Sequence, residues 1–492
     1  MLSWLPVSFH KGFAARASLV FAGSAGGQAI AFLLLPFTAR VYGAETLGQA
    51  ATVLAALGIL ALVICLQYDN AVIVASDSDI PYLLLLSWIS AIASTVLVCA
   101  LLVLEQWLLR PNGIGALAYL GIDWTLALLM LSYAPYLLLT NLQLRLNELH
   151  KVSVGRIIFY GGGALLQLIC GLLVPPQASV YLAAQAAGAF LALSYLLPYA
   201  RVLTWVAAHQ QRRVGLRNEL IRVACSYREF PQFQAGAGFL NALSMSVPMV
   251  FMRIAFSDAW AGWYYIAFRA LASPTNLAGQ AIGQVFYRDS ADRERQGTGQ
   301  AHVIEGIVSG LLRAGLLPAL ALGVFAPSLV GLLMGPDWAP VAVIVQALLV
   351  SFVVTFPTSP VSQILNVRRL QSRSLLFNAA LFGARFIGLC VGYLFRSEIA
   401  SVVGYSLASV LVFLPLLSYC VHSVGGSMLK IVRPVVPEAI DVGLISLLVL
   451  GLSWSGVLYQ PSAAAVVLAL IGAAAYREAT RWGWRGVRTR DT

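Results

Sequence analysis

The chain has 492 residues, of which 60% are hydrophobic and only 10% charged, and a mean hydropathy of +0.83. That balance excludes a water-soluble enzyme of this length and assigns the chain to the bilayer. The net charge of +11 does not call for a nucleic-acid partner, because the basic residues fall at alternate ends of apolar segments, as membrane topology requires.

Fourteen apolar runs predict transmembrane helices at about 17–37, 47–67, 80–104, 116–140, 154–174, 179–200, 235–256, 260–286, 306–334, 341–365, 374–395, 399–420, 439–458 and 461–476. Membrane β-strands would need about ten alternating residues each, and that alternation is absent. The expected fold class is therefore all-α and polytopic. Lys11 and Arg16 precede the first run, which is long enough to be an uncleaved span rather than a signal peptide.

With the N-terminus in the cytoplasm, most Lys and Arg reach the cytoplasmic ends, among them Arg145, Arg156, Arg222, Arg288, Arg368 and Lys430. Only Arg40, Arg110, Arg253 and Arg396 fall at external ends, and Arg269, Arg313 and Arg385 fall inside spans. One loop is anomalous: the stretch after the second span holds Asp69, Asp77 and Asp79 but no basic residue. External loops such as VYGAET, SDA and GPDWAP are too short for a catalytic domain, so the chain is not expected to be an enzyme. The six cysteines and five histidines show no metal-ligand spacing, so no metal or cofactor is expected.

Along the first half the polar residues inside spans are sparse: Ser24, Gln28, Gln67, Gln167 and Gln185. Each suits an interhelical hydrogen bond. Residues 201–230 mix arginines with Val214, Leu216, Leu220, Ile221 and Val223. That pattern predicts an amphipathic interfacial helix, either a tether between two halves or a basic linker on anionic lipid.

The second half is different. On the eighth span Arg269, Ser273, Asn276, Gln280 and Gln284 follow at intervals of three and four residues, with Tyr265 and Arg288 extending them at either end, which makes one polar stripe on a helix. One central arginine facing lipid costs about 2.5–3.5 kcal/mol on insertion scales, so the stripe must face protein or water. Pro274 should kink this span. Asn241 and Ser244 on the seventh span, Ser309 and Arg313 on the ninth, and Asn378 and Arg385 on the eleventh repeat the pattern more weakly. No carboxylate sits centrally; only Asp69 and Asp123 lie close enough to a span to serve as ion-coupling candidates. A cavity with several arginines and no acid favours an anion, and guanidinium forks onto phosphate oxygens. The expected cargo is an amphiphile carrying phosphate or pyrophosphate.

The stretch YREFPQFQAGAGFLNALSMSVPMVFMRIAFSDAWAGWYYIAFRALASPTNLAGQAIGQVFYRDSADRERQG resembles the Wzx-type polysaccharide exporters, relatives of MurJ and the MATE transporters. LLLPFTARVYGAETLGQAA, LQYDNAVIVASDSD and GPDWAPVAVIVQALLVSFVVTFPTSPVSQILNVRR add to the resemblance, which spans about residues 20–375. It departs from the family in span number, fourteen here against the twelve often assigned to Wzx-like proteins. The resemblance implies a six-helix lobe at 1–200, a linker at 201–230, a second lobe at 231–421, and two further helices with a basic tail at 422–492. A faint internal echo agrees with duplication: Arg40 and Gly48 parallel Arg253 and Gly262.

The implied function is flipping of undecaprenyl-pyrophosphate-linked oligosaccharide to the periplasmic leaflet of a bacterial inner membrane. Membrane lipids and the polymerase and chain-length proteins of the same pathway are the implied partners. The resemblance carries a cavity role over to Arg269, Arg385, Arg253 and Arg40; the polar spacing adds Arg313 to the expected substrate-binding residues, with Asn276, Gln280, Gln284 and Asn241 expected on the sugar. A drug or metabolite antiporter of the MATE kind, or a membrane polysaccharide polymerase or ligase, are the competing functions.

Overall fold

A computed structural model describes residues 11–109, 117, 122–197, 215–231, 235–296, 299–368 and 370–454. Among these residues there is no strand, and ten helices are long and apolar enough to cross a membrane. The fold is all-α and polytopic. The first half comprises α1 (Lys11–Leu60), α2 (Tyr68–Val74), α3 (Ile80–Leu104), α4 (Trp124–Arg145), α5 (Leu149–Leu173), α6 (Ala178–Leu196) and the short α7 (Leu216–Ser226). The second comprises α8 (Ala235–Ala255), α9 (Asp258–Gln296), α10 (Ala301–Met334), α11 (Ala339–Val361), α12 (Ile364–Val367), α13 (Gln371–Leu394), α14 (Glu398–Ser423) and α15 (Met428–Trp454).

Three differences from the expected spans have physical reasons. The first two spans form one continuous element broken at Gly43, whose φ of 76° lies in the left-handed region open to glycine. The eighth span is too polar to count among the ten, yet α9 is its continuous helix. It runs on through Pro274 for 39 residues, about 58 Å at 1.5 Å per residue. Proline leaves one carbonyl without its donor. Here the hydroxyls on either side cap the neighbouring carbonyls, Ser273 bonding that of Arg269 and Thr275 that of Leu271, each at 2.8 Å. The thirteenth expected span overlaps α15, and the fourteenth lies outside the described residues.

Packing divides the molecule unequally along its length. At the end carrying the basic loops each half has its own core: Ile80, Leu139, Phe159, Leu196 and Val223 in the first, and Phe286, Val308, Ile364, Leu417 and Ile431 in the second. At the opposite end a single core joins both halves through Leu47, Tyr181, Tyr264, Trp338, Leu348 and Tyr405. The halves share one core at that end; at the other they keep separate cores but still touch, a Cβ on Gly238 of α8 standing 3.4 Å from Leu62.

Their meeting point is a crossing of two glycines. A Cβ on Gly48 of α1 would stand 1.8 Å from the Asp258 carbonyl oxygen, and one on Gly262 of α9 would stand 1.9 Å from the Ala44 carbonyl oxygen. The contact is reciprocal, since each glycine touches the residue four before its counterpart, as duplicated halves require. Small residues let membrane helices approach to backbone contact. Around the crossing Arg253 pairs with Asp258 at 2.6 Å, and Gln49 of the other half donates to the same carboxylate at 2.8 Å. Arg40 donates to the Leu332 carbonyl at 2.8 Å, bridging α1 to α10.

The acidic loop after the second span is balanced in space rather than in sequence. Arg145 from α4 bonds Asp77 at 3.0 Å, and Arg222 from α7 bonds Asp79 at 2.7 Å. The loops following the second, fourth and sixth spans therefore share one end of the molecule. Burial would raise the Asp79 pKa, but hydrogen bonds from Arg222, Ser76 and Tyr227 outweigh it and hold the carboxyl below its usual range. Together with the buried Val223, this contact moors α7, which formed within the expected linker.

Two outcomes are expected. Gly262→Val should lower thermal stability in detergent by about 1–3 kcal/mol through forced separation of α1 and α9. Gly306→Ala, with nothing within 4 Å of the added carbon, should change it by less than about 0.5 kcal/mol. Because the folded Asp79 pKa is depressed, its contribution is present above the ordinary carboxylate value and is lost as pH falls below about 4. The protection factors of the α7 amides, measured against intrinsic exchange at the same pH, should therefore fall in acid, and Asp79→Asn should lower them likewise at neutral pH.

Candidate functional site

In the first half, α1, α4, α5 and α6 enclose a cavity of about 190 Å³ lined by Leu54, Gly58, Ser132, Tyr133, Phe159, Tyr160 and Gln185, among others. At roughly 15 Å³ per enclosed water it has room for on the order of ten. Its aromatic wall is organised by a π-helical turn, Ile158–Gly162, inside α5. Such a turn inserts a residue and re-aims the side chains beyond it. Phe159 stacks on Tyr136 with ring centroids 4.2 Å apart, and Tyr160 meets its edge at 4.9 Å. Gln185 receives the Gln167 amide at 3.0 Å.

Arg269 does not line this cavity but lies within electrostatic reach of Tyr160 on its wall. From α9 in the second half it donates to the hydroxyls of Tyr265, one turn away, and of Tyr181 on α6 at 3.2 Å. The two tyrosine oxygens lie 3.1 Å from each other, and Tyr42 packs edge-on against Tyr181. Tyr160 on the cavity wall is within electrostatic reach of both Arg269 and Arg156. No carboxylate pairs with Arg269 among the described residues, and both hydroxyl contacts use Nη1. Hydrogen bonds to a charged group contribute about 1.5–3 kcal/mol each, enough to offset the cost of placing one guanidinium in the bilayer. Nε and Nη2 have no hydrogen-bond partner among the described residues.

The other expected site residues are placed differently. Arg253 and Arg40 belong to the contacts around the glycine crossing: Asp258 pairs with the first, whereas the second is exposed and bonds a backbone carbonyl, which leaves its charge in place. Arg385 is 5% exposed inside the second half, held by Ser409 and Ser244 at 2.8 Å each. At that burial it presents almost nothing to a ligand arriving between the halves. Arg313 is half-buried on α10 and Asn241 is exposed on α8. Asn276, Gln280 and Gln284 have backbones on α9, but their side chains lie outside the described residues.

The two acids also separate. Asp123 is exposed and caps α4, accepting from the Thr125 backbone N–H at 2.9 Å and from its hydroxyl. That is a helix cap, with no path for coupling. Asp69 is buried at the start of α2, accepts the Asn141 amide at 3.1 Å, and has no cationic partner among the described residues. Burial pushes its carboxyl above the usual range, against the opposing pull of its own and Asn70 backbone N–H groups and of Asn141.

Residues that the sequence concealed complete the site: Tyr181, Tyr133, Tyr160 and Arg156, the last bonded to Ser24 at 2.6 Å. The positive-inside pattern absorbs Arg156 as a topology signal. Tyr265 alone was legible, four residues before Arg269 on the stripe.

No protein-family model matches this chain, and no curated protein matches it. Among solved structures it is similar to the lipid II flippase MurJ in an inward closed conformation, with a TM-score of 0.64 at 12% identity over 92% of this chain and 98% of that one. It is similar also to a multidrug resistance MATE family transporter of the MOP superfamily in an inward-facing conformation, with a TM-score of 0.57 at 14% identity over 81% and 96% of the two chains. The MATE transporter VcmN of Vibrio cholerae gives a TM-score of 0.54 at 14% identity over 84% and 96%. The chain thus has the fold of the MOP-superfamily transporters.

Proposed function

We propose that this protein flips a polyprenyl-pyrophosphate-linked oligosaccharide, with undecaprenyl as the expected lipid, from the cytoplasmic to the periplasmic leaflet of a bacterial inner membrane. The observation that carries this reading is Arg269: a guanidinium with no acidic partner among the described residues, held by two tyrosines on one nitrogen and within electrostatic reach of the cavity residue Tyr160. Pyrophosphate oxygens suit that fork. Aromatic walls such as Phe159 and Tyr160 suit sugar faces, and Gln185 suits hydroxyls. Asn276, Gln280 and Gln284 then continue the polar path along α9. The name of the first structural neighbour, a lipid II flippase, agrees with a lipid-linked cargo.

In this reading the basic loops are cytoplasmic, so the end at which the halves keep separate cores faces inward. Residues 1–200 and 231–421 act as two lobes, with 201–230 between them. Neutralising Arg269 by substrate favours rocking of one lobe on the other about the glycine crossing. The polar stripe and the first-half cavity would then exchange sides. Residues 422–492 supply a surface for the lipid tail, and polymerase and chain-length proteins receive the product.

Arg269→Ala should reduce transport about a hundredfold or more, the loss of two charge-assisted bonds to phosphate, without changing protein level. Lys at that position should restore part of it, and Tyr181→Phe should cost about tenfold by loosening the fork. The measurement is leaflet sidedness of lipid-linked oligosaccharide in cells and in proteoliposomes. Full export by a stably expressed Arg269→Ala protein would remove the assignment.

The MATE-type antiporter is the second reading, favoured by the buried, cation-free Asp69 and by the names of the other neighbours. In either case Asp69 is the coupling carboxylate, and Asp69→Asn should abolish dependence on the proton gradient while cargo binding persists. Gradient dependence equal to wild type would exclude Asp69. Drug resistance without a glycan phenotype would decide for the antiporter.

A further inference from the structure

The second half buries a cation that the flippase reading does not use. Arg385 on α13 is 5% exposed, and no carboxylate pairs with it among the described residues. The helices around it, α8, α9, α13 and α14, carry acids only at their ends: Asp258, Asp289, Asp292, Glu294 and Glu398. Its guanidinium carbon lies 4.7 Å from the Tyr405 ring centroid and 5.4 Å from that of Phe413. Nε and Nη1 each donate to one serine. Nη2 and the second Nη1 hydrogen have no partner among the described residues.

The surroundings are under-satisfied in the complementary sense. The Ser406 hydroxyl is 1% exposed and unbonded, and it shares the inward face of α14 with Tyr405, Ser409 and Phe413. Tyr264, fully buried on α9, has its hydroxyl beside that of Tyr405 and within electrostatic reach of Arg385, without a hydrogen bond of acceptable geometry. Buried polar groups are almost always bonded, and buried charges are almost always paired. Here two unbonded hydroxyls lie on helices packed around one guanidinium that has no acidic partner among the described residues, and serine and aromatic contacts do not neutralise it.

We propose that this cluster is a binding site for a small monovalent anion, of the size and charge of a halide, enclosed by α8, α9, α13 and α14. Every unsatisfied group can donate to such an ion: the guanidinium Nη2, the Ser406 hydroxyl and the Tyr264 hydroxyl. A second cation is excluded by Arg385 itself, so coupling through a cation in this half is electrostatically disfavoured. The site lies within one half and shares no residue with the Arg269 site.

The test uses the purified full chain in detergent at constant ionic strength, titrating sodium chloride or bromide against sodium gluconate. Thermal unfolding should shift upward with halide along a saturable curve, as a ligand specific to the native state requires. Ser406→Ala and Tyr264→Phe should each raise the halide midpoint about three- to tenfold, the loss of one hydrogen bond to an ion. Arg385→Gln should abolish the response. A wild-type protein that does not distinguish halide from gluconate overturns the proposal. So do variants that keep the wild-type midpoint; if Arg385→Gln fails to fold, Ser406→Ala and Tyr264→Phe decide.

Discussion

The structure depends on the backbone crossing of α1 and α9 at Gly48 and Gly262. With 1.8 and 1.9 Å between a hypothetical Cβ and the facing carbonyl, no other residue fits either position without parting the helices. Everything at the joined end follows from that proximity. Asp258 comes within reach of Gln49 and Arg253, Arg40 reaches α10, and Tyr265 of one half meets Tyr181 of the other. The contact is small, reciprocal and free of long side chains, and so it can serve as a pivot. Elsewhere the halves keep separate cores, which leaves them free to move as units.

Two arginines of the second half show opposite solutions to the same electrostatic problem. A guanidinium inside a bilayer protein needs hydrogen bonds and either a counter-charge or water. Arg269 is half-buried, and its bonds to Tyr265 and Tyr181 tie it across the interface of the halves. Arg385 is enclosed by three helices of one half and stacked against aromatic rings. Any ion it holds is part of the packing of that half. Composition alone treats the two as equivalent, yet one is suited to cargo and the other to an enclosed ion.

The eighth-span stripe was legible because helical spacing places Tyr265, Arg269 and Ser273 on one face wherever the helix sits, and Tyr265 does bond Arg269. Tyr181 was not legible, since 88 residues separate it from Arg269 and its own span is otherwise apolar. The acidic loop after the second span looked anomalous for the same reason. Arg145 and Arg222, which balance it, are remote in sequence and adjacent in space. The resemblance points Arg40 and Arg253 at substrate, whereas in the fold Arg253 pairs with Asp258 of its own half and Arg40 donates to the Leu332 carbonyl of the other half.

By itself the sequence determined that this chain is an all-helical membrane protein, where its spans run, and which helix carries a polar face. Those properties follow from hydropathy and from the 3.6-residue period, which act within one segment. Only the tertiary structure decided which charges are open and which are engaged. Opposing groups come from distant segments, and burial in a low-dielectric interior sets the outcome for each one.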